Sequence, residues 1–109
     1  MVNEAEEARV MLGGRVAIVT GAGGGLGRSH ALMLARLGAK VLINDMKAEA
    51  AEKVAREIEA AGGEAIGFAA SVTDEERIAA MVARAMEAWG RIDILVNNAG
   101  ILRDRSFAK

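Results

Sequence analysis

The sequence predicts an α/β domain: a four-stranded parallel sheet in the order 3-2-1-4, with helices on both faces. Three observations point there. Short apolar runs rich in β-branched residues alternate with longer amphipathic stretches, in the order β-α-β-α-β-α-β. Those runs are apolar along their whole length, as strands are when both faces of a parallel sheet are covered. No proline interrupts any element. Right-handed crossovers then place the first two helices on one face and the third on the other.

The elements follow in order. Arg15 to Thr20 is the first strand, and a glycine-rich turn runs from Gly21 to Gly25. Leu26, His30, Met33, Leu34 and Leu37 recur at helical spacing, and Gly38 stands where a helix C-cap belongs. Lys40 to Asp45 is the second strand. Ala51, Val54, Ile58 and Ala61 mark the buried face of the second helix, with Glu49, Glu52, Lys53, Arg56, Glu57 and Glu59 on its wet side. Gly62 and Gly63 end it. Ala65 to Ala69 reads as a weaker third strand. Thr73 and Glu76 have capping-box spacing, with Asp74 in the first turn of the third helix. Ile78, Met81, Val82, Ala85 and Trp89 form its buried stripe, Gly90 stops it, and Ile92 to Asn97 is the fourth strand. Residues 1–12 read as an N-terminal extension and 13–109 as one domain.

Composition narrows the function. Hydrophobic residues make up 52% of the 109 and charged residues 27%, a globular balance. A formal net charge of −1 gives no long-range attraction to nucleic acid or an anionic membrane. There is no cysteine and one histidine, so no thiolate or multi-histidine metal site is expected. The N-terminus carries Glu4, Glu6 and Glu7 and no long apolar run, which does not fit a signal peptide. The expectation is a cytoplasmic protein.

Three segments carry chemistry. The first is Thr20-Gly21-Ala22-Gly23-Gly24-Gly25-Leu26-Gly27, directly after a strand and opening a helix. Free N–H groups and a partial positive charge at a helix N-terminus attract a pyrophosphate. Gly21 permits the tight turn, Gly25 a close approach of backbone to phosphate, and Gly27 close helix–strand packing; Gly24 lies within the same loop. The alternative is a glycine-rich turn that binds nothing. The second is Asp45, which ends the second strand about 20 residues further on, where a carboxylate accepts from ribose hydroxyls and repels a 2′-phosphate. Met46 follows it, and neither that position nor Gly24 supplies an arginine for a 2′-phosphate, so NAD is expected over NADP. The alternative is a turn residue or helix cap. The third is Asn97-Asn98-Ala99-Gly100, which the strand order places beside the glycine loop, at the carboxyl ends where ligands bind. Its alternative is a simple turn.

Together these segments resemble the classical short-chain dehydrogenase/reductase family over about residues 13 to 109. The stretch from Asn98 to Phe107 resembles more narrowly the (3R)-hydroxyacyl-CoA dehydrogenase units of peroxisomal multifunctional enzymes and their bacterial relatives. The resemblance implies a Rossmann-type half that binds NAD. Leu26 belongs to its phosphate motif. Ser71, with Val72 beside it, takes the place of the family acid that holds adenine. Asn98, Ala99 and Gly100 would line the path of the adenosine and nicotinamide ribose, while Asn97 would brace the sheet. The family's serine, Tyr-x-x-x-Lys pair and helix asparagine fall beyond residue 109 in the family pattern, and the chain contains no tyrosine. The resemblance therefore implies a domain truncated before the catalytic half, with no catalytic residues of its own. It would bind cofactor without turnover; the parent reaction would pass hydride between NAD and a secondary alcohol or ketone, with a 3-hydroxyacyl-CoA as one candidate.

Other residues invite roles. His30 lies at buried-stripe spacing and reads as structural. Arg28 and Ser29 can reach phosphate or serve the helix surface. Arg103, Asp104 and Arg105 can meet a CoA phosphate or form a charged loop. A second reading of the chain is a non-catalytic, self-associating half-domain. Its fourth strand would be a sheet edge exposing the run Ile92 to Val96, and so would form a homo-oligomer.

Overall fold

The computed structural model describes residues 11–99. Four strands, β1 (Val16–Thr20), β2 (Lys40–Asp45), β3 (Ala65–Ala69) and β4 (Ile94–Asn97), alternate with three helices, α1 (Gly25–Arg36), α2 (Ala48–Ala60) and α3 (Glu75–Trp89). The sheet is parallel in the order β3-β2-β1-β4, as the sequence predicts.

Side chains of successive strand residues point to opposite faces. Ala17, Val19, Val41 and Ile43 face α1 and α2 and pack with Ala31, Leu34, Ala51, Val54 and Ile58. Ile18 and Leu42 face the other way and pack on Ile78, Met81 and Ala85 of α3. The central strands β1 and β2 are thus sealed on both sides, which is why they read as unbroken apolar runs.

Several details depart from the sequence expectations. The buried stripe of α1 is Gly27, Ala31 and Leu34. Leu26 is 68% exposed and Met33 also faces outward. The first turns of the helix lie so close to the sheet that Gly27 and Ala31 make the contact, and a large side chain, Leu34, enters the core only further along. The cap of α3 is Asp74, whose Oδ1 accepts from the Arg77 N–H at 3.1 Å, and not Thr73. The Thr73 hydroxyl is instead 2.8 Å from that of Ser71. β4 begins at Ile94, two residues later than expected; Ile92 packs beneath the α3 side. Trp89 packs at the border of that core, and its indole N–H donates to Glu64 at 2.8 Å.

Helix stops behave as read: Gly38, Gly62 and Gly90 follow α1, α2 and α3 with φ of 105°, 93° and 75°, values that only glycine adopts freely. Of the expected extension, residues 1–10 lie outside the described residues, and the Leu12 N–H donates to the Leu37 carbonyl at 2.9 Å.

Candidate dinucleotide site

All the described candidate residues gather at the carboxyl edge of the sheet. β1 ends in Thr20, which is fully buried, and Gly21 turns the chain with φ of 60°. The loop runs to Gly24, the N-cap of α1, which offers no side-chain cap; the first turn holds no acid. The leading N–H groups of α1 therefore lack a side-chain partner at the cap, leaving a positive helix end. A Cβ added at Gly24 or Gly25 would meet nothing within 4 Å, so the outer side of the loop is open backbone. Gly27 is the opposite case: its Cβ would stand 2.2 Å from the Gly21 carbonyl oxygen. At Gly21 a Cβ would lie 3.2 Å from the Ala99 nitrogen, because the β1 and β4 loops run backbone against backbone.

Thr20 joins those loops. Its hydroxyl donates to Asn97 Oδ1 at 3.0 Å and accepts from the Ala99 N–H at 3.2 Å. Asn98 lies between them. Its Oδ1 is 3.1 Å from His30 Nδ1, and its Nδ2 is buried without a partner among the described residues. A buried amide donor left open is costly and marks a place where another group is expected.

Asp45 stands at the neighbouring strand end. One carboxylate oxygen accepts from the Gly23 N–H at 3.0 Å and the other from the Lys47 N–H at 3.1 Å. Asp45 is thus the turn residue of the alternative reading, and it also bridges to the glycine loop. A carboxylate has about four lone-pair sites, so capacity for further donors remains. Beside it, the Ala70 N–H donates to the Asp45 carbonyl at 3.0 Å, which brings the β3 end and Ser71 alongside. The Ser71 hydroxyl also accepts from the Thr73 N–H, at 3.3 Å, and Val72 packs against the α3-side core. Gly100 and the charged stretch Arg103 to Arg105 lie outside the described residues.

Of the two roles open to Arg28, phosphate contact or the helix surface, the structure shows the second. Arg28 makes a two-pronged bond to Glu57 of α2, its Nε donating to Oε1 at 3.0 Å and its Nη2 to Oε2. That bond holds the Glu57 carboxyl below the usual range, with partial desolvation opposing it. The helix-surface role is the one realised.

Four positions escaped the sequence reading. Gly23 sits against Asp45. Thr20 had a signal, a hydroxyl at the last strand position, but no role. Asn44 is a buried amide in an otherwise apolar strand; its Nδ2 donates to the Phe68 and Ala70 carbonyls at 3.3 and 3.1 Å and so ties the β2 and β3 ends. His30 was read as structural and bonds a candidate site residue. Nothing in the sequence reveals that contact, since 68 positions separate it from Asn98.

A glycine loop, a carboxylate and an asparagine loop meet on adjoining strand ends, at the carboxyl edge where α/β proteins of this parallel-sheet class bind their ligands. A family model for short chain dehydrogenase matches residues 15–109, and the chain belongs to that family. It is 48% identical to peroxisomal multifunctional enzyme type 2 of Drosophila melanogaster over 112 aligned residues, covering 94% of this chain and 18% of that protein. It is 51% identical to peroxisomal multifunctional enzyme A of Dictyostelium discoideum over 104, covering 87% and 23%. The chain thus spans about a fifth of these curated relatives, whose names agree with the narrower likeness read from Asn98 to Phe107. Among solved structures, it superposes on a hydroxysteroid dehydrogenase from Escherichia coli with a TM-score of 0.80 and 41% identity, covering 85% of this chain and 38% of that one. A 7α-hydroxysteroid dehydrogenase solved with NADH and 7-oxo glycochenodeoxycholic acid gives 0.78 and 38%, covering 89% and 37%. Among the described residues, no helix is long and apolar enough to cross a membrane.

Proposed function

We infer that this chain holds a nicotinamide dinucleotide, NAD in preference to NADP, as the cofactor-binding part of a short-chain dehydrogenase. The observation that carries the reading is the open glycine backbone at the start of α1 with Asp45 hydrogen-bonded to its edge. The residues present fit the group. Gly24 and Gly25 leave bare backbone for a pyrophosphate, and the buried Asn98 Nδ2 lacks the acceptor that a ligand would bring.

In this reading Gly21, Gly24, Gly25, Leu26 and Gly27 form the phosphate turn, whose backbone N–H groups and helix dipole receive the negative charge. Asp45 accepts from the adenosine ribose hydroxyls and repels a 2′-phosphate at short range. Ser71 and Val72 border the adenine, while Asn98, Ala99 and Gly100 line the way to the nicotinamide. The nicotinamide, when bound, supplies hydride-transfer chemistry. The family's tyrosine acid/base has no counterpart among these 109 residues, so the chain alone binds cofactor without turnover. For the whole enzyme we propose oxidation or reduction at a secondary alcohol or ketone, with a 3-hydroxyacyl-CoA as substrate class; the latter rests on the resemblance carried by Asn98 to Phe107. The multifunctional relatives are named as peroxisomal, so they lend no support to a cytoplasmic location.

Calorimetric titration with NAD and NADP tests the reading. We expect NAD to bind, and Asp45→Ala to weaken it about tenfold or more, the worth of a hydrogen bond to a charged group. Folded chain giving no heat with either nucleotide would overturn it.

A second reading, association of the domain with itself, draws on one feature: among the described residues β4 is a sheet edge, with Leu95 40% exposed.

A further inference from the structure

We propose that Gly23 is a cofactor-discriminating residue, because the space its side chain would fill is where the Asp45 carboxylate stands. The inference rests on the dinucleotide reading of the site. It adds a residue that the reading left without a role.

A Cβ built on Gly23 would lie 2.7 Å from both Cγ and Oδ2 of Asp45, and 2.6 Å from Cβ of Ala50 in the first turn of α2. All three distances are shorter than real Cβ contacts. Ala50 is fixed on a helix and cannot yield by rotating a side chain. The Asp45 carboxylate can turn, and it is the group that would be displaced. The backbone N–H of Gly23 also donates to Asp45 Oδ2 at 3.0 Å, and the Lys47 N–H holds Oδ1. Both carboxylate oxygens are therefore fixed before any ligand arrives. A carboxylate held this way loses little rotational freedom on accepting ribose hydroxyls, and it presents its charge at one place to a 2′-phosphate. Any larger residue at 23 breaks this arrangement from the loop side, although it touches neither base nor phosphate chemistry.

Gly23 differs in this from the glycines around it. Gly24 and Gly25 face open space, and Gly27 faces the backbone of its own turn. Gly23 alone of the four is set against the candidate ribose acid, so a substitution there should alter which nucleotide is chosen and not only how tightly one binds.

The test is calorimetric titration of the full chain with NAD and with NADP, for the wild type, Gly23→Ala, Asp45→Ala and the double variant. Circular dichroism melts accompany each. We expect Gly23→Ala to weaken NAD about tenfold and to lower the ratio of NAD to NADP affinity. In the Asp45→Ala background the same substitution should leave that ratio unchanged, because the coupled partner is gone. Gly23→Ala with wild-type affinity and ratio overturns the proposal. So does an equal loss for both nucleotides, which would make Gly23 a part of the phosphate turn alone. If Gly23→Ala does not fold, amide exchange on the wild type and Asp45→Ala decides: protection of the Gly23 N–H that persists without Asp45 overturns the pairing, and its loss supports it. A wild-type chain that binds no NAD removes the functional reading itself, an outcome distinct from the others.

Discussion

Gly27 shows how a single hydrogen can set the geometry of a site. A methyl there would meet the Gly21 carbonyl oxygen at 2.2 Å, a backbone atom that no rotamer can move aside. Gly27→Ala should therefore lower stability by about 3 kcal/mol, the upper part of the usual range for overpacking. Urea denaturation measures this, and a loss within error of zero would mean that α1 shifts freely on the sheet. Gly27 and Asp45 were legible in the sequence because their positions follow from where a strand stops and a helix starts. Gly23 was not. Its constraint comes from Asp45 and Ala50, two chain segments away, and no local pattern records a collision between them. The pairing of His30 with Asn98 was hidden for the same reason.

At the level of elements, the hydrophobic period located every helix and strand, while their ends and facings were set by contacts that the period does not encode. Of the large residues at helical spacing in α1, Leu34 is buried in the core; the rest of the stripe is Gly27 and Ala31, since the start of the helix lies close over β1. The Arg28–Glu57 bond joins α1 to α2 at the protein surface. Arg28 stays cationic throughout the ordinary range, its affinity for the proton raised by hydrogen bonding to Glu57. The Glu57 carboxyl is held low in the folded chain, so the unfolded chain takes up its proton first as the solution is acidified. The bond accordingly contributes in full above the usual glutamate range and is lost as pH falls through that range and the depressed folded value. The stability gap between wild type and Glu57→Gln in urea should be present at neutral pH, shrink on acidification, and shrink with added salt because the pair is exposed. A gap independent of pH would rule the pair out as a link between the helices.

For the whole molecule, strand order was legible because few right-handed topologies fit the alternation of elements. What happens at the rim was less so. β4 pairs with β1 on one side, and its residues alternate between half-buried and exposed. An edge with Leu95 outward favours pairing with another edge. Sedimentation at tens of micromolar should show a species heavier than one chain, and Leu95→Lys should shift it toward the monomer. A single monomeric boundary for the wild type would dismiss the self-associating reading.

The two sides of the sheet will not drift equally over generations. Toward α1 and α2, Ala17, Ala31, Ala51 and Ala55 stand among Val19, Val41, Ile43, Val54 and Ile58, and a Cβ on Gly67 would come within 3.0 Å of the Glu52 nitrogen. At Gly67 and at the fully buried alanines of that side, an added methyl presses directly on a helix. Toward α3, Met81 fills the space beside Ile18, Leu42 and Ile78, and an unbranched thioether adapts to its neighbours. Lineages descended from this sequence should keep Gly67 and the buried alanines of the first side small, and exchange leucine, isoleucine and methionine around Met81 on the second.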